Sequence, residues 1–140
     1  MSQTSVDPPL DPPRVHPNLD TAWWWQALAQ GELLIPACRA CSRRFFPPQA
    51  FCPHCGSQDW HGAATQGRGK IYSWIVTYRA FAPEFANEVP YAIVAVDLDD
   101  GGRLIGRYFG DFTVLRDAMR VRAKIYRNHG DVLLGFEVAS

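Results

Sequence analysis

All four cysteines of the 140-residue chain fall in two C-x-x-C pairs, Cys38-Arg-Ala-Cys41 and Cys52-Pro-His-Cys55, separated by ten residues. Each pair can form a tight knuckle that presents two thiolates on one side of a turn. Two facing knuckles supply four soft sulfur ligands in a tetrahedron, the arrangement that structural Zn2+ prefers. Such a closed site leaves no position for water or substrate, so the metal would build structure and catalyse nothing. A rubredoxin-type iron site uses the same four thiolates. A redox C-x-x-C needs one pair in a thioredoxin-like βαβ setting, which is absent. Two disulfides suit a secreted chain, and the polar, proline-rich first residues do not read as a secretory segment. His54 lies inside the second knuckle; with four cysteines at hand it is expected beside the site or exposed.

The remaining polar residues form no recognisable catalytic set. The serines lack a nucleophile elbow or a Ser-x-x-Lys setting. His16, His54, His61 and His129 are scattered, none in a signature with a carboxylate. Gly67-Arg68-Gly69-Lys70 lacks the Walker pattern and reads as a turn opening a strand. Arg120, Arg122 and Lys124 alternate, so they share one face of a strand. Such a row could meet phosphates, or it could be a solvated face.

Fourteen basic and fourteen acidic side chains leave no formal net charge, so no general pull towards nucleic acid or an anionic membrane exists. No apolar run approaches the length of a membrane span. A cytoplasmic protein is the expectation. Aromatic content is high, with five Trp, five Tyr and eight Phe.

The elements that must position these residues follow in chain order. Residues 1–17 hold five prolines and read as an extended arm. Asn18 to Gln30 reads as a helix, capped by Asn18 or Asp20 and ended by Gly31. Its Trp23, Trp24 and Trp25 sweep about 200° of the helix circumference. Either the helix is wedged between ribbon and core, or another subunit covers its outer face. The second reading is preferred, because tryptophan is enriched at interface anchors, and Trp24 is the first choice for the outward ring.

Glu32 to Pro36 reads as a short strand entering the first knuckle. Phe45 and Phe46 can pack on the metal site, with Arg43 and Arg44 solvated. From Gly67 the pattern switches to period two. Lys70 to Tyr78 would place Ile71, Ser73, Ile75 and Thr77 on one face, opposite Tyr72, Trp74, Val76 and Tyr78. Tyr91 to Leu98 is nearly continuously apolar, as if covered on both faces. Asp99-Asp100-Gly101-Gly102 is a hairpin turn, and Arg103 to Phe109 returns antiparallel. Asp111 to Ala118 is a turn or short helix before strands at Arg120–Arg127 and Val132–Val138. Five strands in this order predict an OB-type Greek-key barrel. The Arg79–Pro90 link, with Phe81 and Phe85, forms an exposed aromatic loop at one mouth.

The order of a Trp-rich helix, Gly31-Glu32-Leu33-Leu34, Cys38-x-x-Cys41, Phe46-Pro47-Pro48 and Cys52-Pro53-x-Cys55-Gly56 is distinctive. It continues with Gly67-Arg68-Gly69-Lys70-Ile71-Tyr72-Ser73, Pro90-Tyr91 and Leu104-Ile105-Gly106. Over about residues 18 to 138 the chain resembles the acyl-CoA-associated OB-fold domains with an N-terminal rubredoxin-like zinc ribbon. The resemblance implies Cys38, Cys41, Cys52 and Cys55 as ligands of a structural Zn2+. It also implies an accessory role beside thiolase-superfamily enzymes, including lipid-transfer-protein-like aldolases, or beside hotdog-fold enoyl-CoA hydratases. Some such domains are fused to a hydratase of steroid side-chain breakdown, and others bridge a thiolase and a synthase in isoprenoid precursor formation.

The expectation is therefore a mainly β chain in four parts: an arm (1–17), a Trp-rich helix and linker strand (18–35), a zinc ribbon (36–66) and a five-stranded OB barrel (67–140). It would be a non-catalytic, acyl-CoA-associated subunit that binds and completes a thiolase-superfamily enzyme, with a steroid side-chain aldolase as the specific candidate, contacting it through Trp23, Trp24, Trp25, Phe81 and Phe85. Arg120, Arg122 and Lys124 would face the phosphates of an acyl-CoA ester. The alternatives are a hydratase partner domain or a nucleic-acid-binding module, the latter disfavoured by the zero charge.

Overall fold

The computed structural model describes residues 14–139. Residues 1–13 of the expected arm lie outside the described residues; residues 14–18 carry no helix or strand. The described residues are mainly β, with one α-helix, α1 (Ala22–Ala29), two short 3-10 turns (Pro83–Phe85 and Phe112–Val114) and seven strands. The strands are β1 (Leu34–Cys38), β2 (Trp60–Ala64), β3 (Arg68–Thr77), β4 (Tyr91–Leu98), β5 (Arg103–Phe109), β6 (Arg120–Asn128) and β7 (Asp131–Val138). The first two pair antiparallel and carry the cysteine knuckles between them. The other five close a barrel in the order β3-β4-β5-β7-β6, with β5 and β7 parallel. That is OB topology.

α1 starts later than its polar lead-in implies. Asn18 Oδ1 accepts the amides of Asp20 and Thr21, both at 3.0 Å, and so holds a turn ahead of the helix. Gly31 ends it at φ +83°, where the amides of Gly31 and Glu32 donate back to Leu28 and Ala27. α1 lies against β1 and β7. Its Trp24 and Leu28 join Leu33 and Ile35 of the ribbon entry and the barrel interior of Ile71, Val94, Val96, Leu104, Val121 and Phe136 in one core.

The expected two faces of β3 do not survive along its length. A β-bulge between Ile71 and Ser73 shifts the phase by one residue. Ile71 and Val76 therefore reach the same core, while Ser73 and Ile75 turn outward. β4 is also not covered on both faces. Ala92, Val94, Val96 and Leu98 are buried, and Tyr91, Ile93, Ala95 and Asp97 are half-buried. At Gly69 β3 and β4 approach so closely that a Cβ would stand 2.1 Å from the Asp97 carbonyl oxygen, which leaves room for glycine alone.

Candidate metal centre and its surroundings

The two knuckles are built alike. In the first, Ser42 N–H donates to Cys38 O (3.0 Å) and Cys38 N–H to Arg43 O (2.8 Å). In the second, Gly56 N–H donates to Cys52 O and Cys52 N–H to Ser57 O, both at 2.8 Å. The residue after each pair, Ser42 or Gly56, takes the left-handed backbone that reverses the chain (φ +63° and +78°). Amides point at the sulfurs: Cys41 N–H reaches Cys38 Sγ at 3.5 Å and His54 N–H reaches Cys52 Sγ at 3.4 Å.

The four Sγ atoms lie within 4.8 Å of one another. Cys38 and Cys55 are 3.6 Å apart, Cys41 and Cys52 3.7 Å. A tetrahedron with metal–sulfur bonds of about 2.3 Å has edges of about 3.8 Å, so the donor set fits a four-thiolate metal site. Its electrostatics call for a cation. Cys38 is held down at about 7, foremost by the Cys41 amide. Cys55 is pushed up to about 12: the Ser57 amide lowers it, but the neighbouring sulfurs, Cys38 first, and desolvation outweigh that pull. Four sulfurs this close cannot all be anionic without a dication among them. Cys38 and Cys52 are buried, Cys41 is half-buried and Cys55 is exposed.

Phe45 packs on the site and meets Trp60 edge-on at 6.1 Å. Phe46 does not join it; it turns to Trp24, with ring centroids 5.4 Å apart. Nor is Arg44 merely solvated. Its guanidinium donates to Ala64 O and lies 4.0 Å from Asp100.

The three tryptophans all find partners within the chain. Trp24 is 5% exposed and donates its indole N–H to Leu34 O at 2.8 Å. It therefore faces the core, and the choice of Trp24 as the outward ring is corrected. Trp23 leans on Trp60 at 5.5 Å, and Trp25 meets Trp24 edge-on at 4.8 Å. The helix is the wedge between ribbon and barrel, because β2 brings Trp60 under Trp23. Trp23 and Trp25 remain half-buried. In the Arg79–Pro90 loop, Phe81 is 87% exposed, whereas Phe85 packs on Tyr91 at 6.2 Å.

Arg120, Arg122 and Lys124 do share the outer face of β6, and each meets a carboxylate there. Arg120 forms a two-pronged pair with Asp99, whose carboxyl it holds below the usual range. Arg122 pairs with Glu137 at 3.0 Å, and Lys124 approaches Glu137 at 3.9 Å. Glu137 faces Arg122 across the strands, a partner that spacing along β6 does not reveal. Among the described residues, His54 and His61 form no hydrogen bond with a carboxylate, and the thiols are gathered in the knuckles. A groove of about 650 Å³ lies between the knuckles and the β4–β5 turn. Its Arg44 and Arg103 lie beside Asp100 and Asp97.

Residues 25–61 match the family described as ChsH2, rubredoxin-like zinc ribbon domain, and residues 63–125 match ChsH2, C-terminal OB-fold domain. A chain of the solved Ltp2-ChsH2(DUF35) aldolase aligns over 91% of this chain and 100% of its own length, at 34% identity and a TM-score of 0.79. The probable enoyl-CoA hydratase alpha subunit of Thermomonospora curvata is 40% identical over 108 residues, 77% of this chain and 33% of that protein. The 3-oxo-4,17-pregnadiene-20-carboxyl-CoA hydratase alpha subunit of Mycobacterium tuberculosis is 30% identical over 112 residues, 78% of this chain and 35% of its own. This chain thus spans about a third of the two hydratase subunits. With its paired knuckles, its closed β3-β4-β5-β7-β6 barrel and these matches, the chain belongs to the ChsH2 family of rubredoxin-like zinc ribbons joined to a C-terminal OB fold (DUF35).

Proposed function

We propose that this protein is a non-catalytic accessory subunit that binds and completes an acyl-CoA-processing enzyme of the thiolase superfamily, of the aldolase type. One observation carries the reading: its alignment takes in the whole length of a chain from the Ltp2-ChsH2(DUF35) aldolase. The site chemistry agrees. The cysteines are committed to Zn2+, which supplies a rigid closed cross-link and no reacting position. The acyl-CoA ester is shared with the enzyme, which brings the catalytic groups. Arg120 and Arg122 are poor candidates for its phosphates, because Asp99 and Glu137 already pair with them; Lys124, which shares Glu137 at 3.9 Å, leaves the row one positive charge in excess.

A second reading is supported by the 40% identity to a hydratase alpha subunit: the chain is the partner domain of a hotdog-fold enoyl-CoA hydratase. Co-expression with each class of enzyme, followed by size exclusion and assays of carbon–carbon cleavage and of hydration, separates the two. A stable complex that cleaves a β-hydroxyacyl-CoA is expected. Association with the hydratase alone, and a gain of hydration, would replace the first reading with the second.

A further inference from the structure

Barrel closure adds two cations to the row on β6. Gly67, Gly69 and Ile71 are buried, so Arg68 and Lys70 of β3 stand outward, and both are exposed. The register sets Arg68 opposite Arg122 and Lys70 opposite Arg120. Residues paired across strands share a face, and like charges directly opposite one another destabilise a sheet. β3 and β6 accept this twice within three consecutive pairs.

The carboxylates of this face do not balance it. Asp99 is taken by both prongs of Arg120, and Glu137 is shared by Arg122 at 3.0 Å and Lys124 at 3.9 Å. Asp97, opposite Lys70, is taken by both prongs of Arg103. Arg120 holds the Asp99 carboxyl below the usual range, and Arg68 and Lys70 add to that pull from a distance. Among the described residues neither Arg68 nor Lys70 forms a salt bridge of its own. Arg68, Lys70, Arg120, Arg122 and Lys124 thus stand against Asp99 and Glu137, which leaves three positive charges. The formal net charge of zero conceals this strip, which is about 13 Å long and two strands wide.

The setting selects among anions. Small phosphorylated ligands are held in concave sites, whereas this strip lies on the outside of a closed barrel. Single-stranded nucleic acid binds OB barrels over their second and third strands, here β4 and β5, and needs open aromatic faces for its bases. Tyr72, which follows the strip on β3, is covered by Arg103 at 3.6 Å from its ring centroid. Carboxylates are the groups this face already grips. Arg120 and Arg103 each hold one with two donors, the geometry in which a guanidinium matches a carboxylate.

Resting on the accessory-subunit reading above, we propose that the outer strip of Arg68, Lys70, Arg120, Arg122 and Lys124 docks a carboxylate-rich patch of the enzyme subunit. Such a patch neutralises the excess and relieves both like-charge pairs, which the chain's own carboxylates do not. Charges arranged in this way steer encounter and fix orientation more than they add affinity. The effect therefore falls on the association rate and on its salt dependence.

The test titrates the protein against aldolase-type and hydratase-type enzyme subunits at about 0.05 M and about 0.5 M salt. The variants are Arg68→Glu with Lys70→Glu, the neutral pair Arg68→Gln with Lys70→Gln, and Arg127→Glu, beside α1, as the control. At low salt the charge-reversed variant should associate at least about tenfold more slowly, with the neutral variant between and the control at the wild-type rate. At high salt the differences should shrink. Zinc content should be unchanged, and melting of the reversed variant should hold or rise, because its new carboxylates face Arg122 and Arg120. Wild-type rates and salt dependence in both variants overturn the strip and leave the accessory role standing. If the wild-type protein associates with neither enzyme class, both proposals fall. Lower melting of both variants would show that the strip serves the fold, and overturns its docking role. Coenzyme A or a single-stranded oligonucleotide that binds the isolated wild-type protein, and not the reversed variant, would give the strip to phosphates and overturn the proposal.

Discussion

Asp100 Oδ1 accepts the Thr65 hydroxyl at 2.7 Å, and its other oxygen accepts the Gln66 amide at 3.1 Å. One carboxylate on the β4–β5 turn thus grips the segment that leaves the ribbon and enters β3. Arg44 approaches the same carboxylate from the knuckle linker. Beside it Gly102 packs so tightly on Ile35 that a Cβ would stand 2.4 Å from Ile35 Cδ1. The ribbon is therefore fixed to the barrel at a polar hub and an apolar contact side by side.

Asp100→Ala removes both accepted bonds, and bonds to charged acceptors are worth about 1.5–3 kcal/mol. A loss of about 1–3 kcal/mol in urea unfolding is expected, with faster amide exchange at Gln66. Thr65→Val should lose less, and the double variant should lose less than the sum. Strict additivity would show that the two residues do not act as a joint.

Much of this was legible in the sequence. The C-x-x-C spacing marks the knuckles, and the period-two runs with the Gly101-Gly102 turn mark the barrel strands. β2 was not, because Trp60-His-Gly-Ala-Ala has neither alternation nor strong β propensity. It forms because β1 offers a ladder and Trp23 fills the space above Gly62, only 2.8 Å from a Cβ placed there. The bulge after Ile71 was hidden too, since one extra residue leaves the local pattern intact while it reverses every later side chain. The pairing of Arg122 with Glu137 comes from barrel register, which no local window holds.

The tryptophan triplet gives a graded expectation. Trp24→Ala opens a cavity in the common core and orphans Leu34 O, costing about 3–5 kcal/mol. Trp24→Phe keeps most of the packing and loses the indole bond, for about 1 kcal/mol. Trp23→Ala and Trp25→Ala, each half-buried, should cost less than Trp24→Ala in chemical denaturation. Equal losses for all three would mean that Trp24 does not have its core role.

Asp131 provides a pH test of the N-terminal segment. Its carboxylate receives two bonds from Arg14 (2.9 and 3.0 Å) and the amide of Val15 (2.9 Å). These hold it at about 2, below its ordinary 3.8, with Arg14 the largest cause. The docked segment favours the ionised form, so its contribution is full above about pH 4 and is lost as pH falls towards 2. The Val15 amide resonance should titrate with a midpoint near the lower value. Asp131→Asn should abolish that titration, and a midpoint near 4 would mean that Arg14 is not docked in solution.

Metal removal should cut the molecule at a definite place. Of the five residues that pack around the knuckles, three are themselves cysteines, leaving Phe45 and Trp60 as the lobe's own apolar content. That is too little to hold two knuckles and a two-stranded ladder, whereas structural zinc contributes about 10–16 kcal/mol in small peptides. Leu33 and Ile35 belong instead to the barrel core, and Ile35 is fully buried. The boundary between metal-dependent and metal-independent structure therefore falls inside β1, between Ile35 and Cys38. Chelation, or Cys41→Ser, should release one metal ion per chain and expose amides from Cys38 to Trp60 to hydrogen exchange. Amides of Leu33 and Ile35, and those of β3 to β7, should stay protected. Protection of Cys38, Arg39 and Trp60 in the metal-free protein would show that packing alone holds the ribbon. Collapse of β4 and β5 in the same sample would show that the Asp100 joint carries the loss into the barrel.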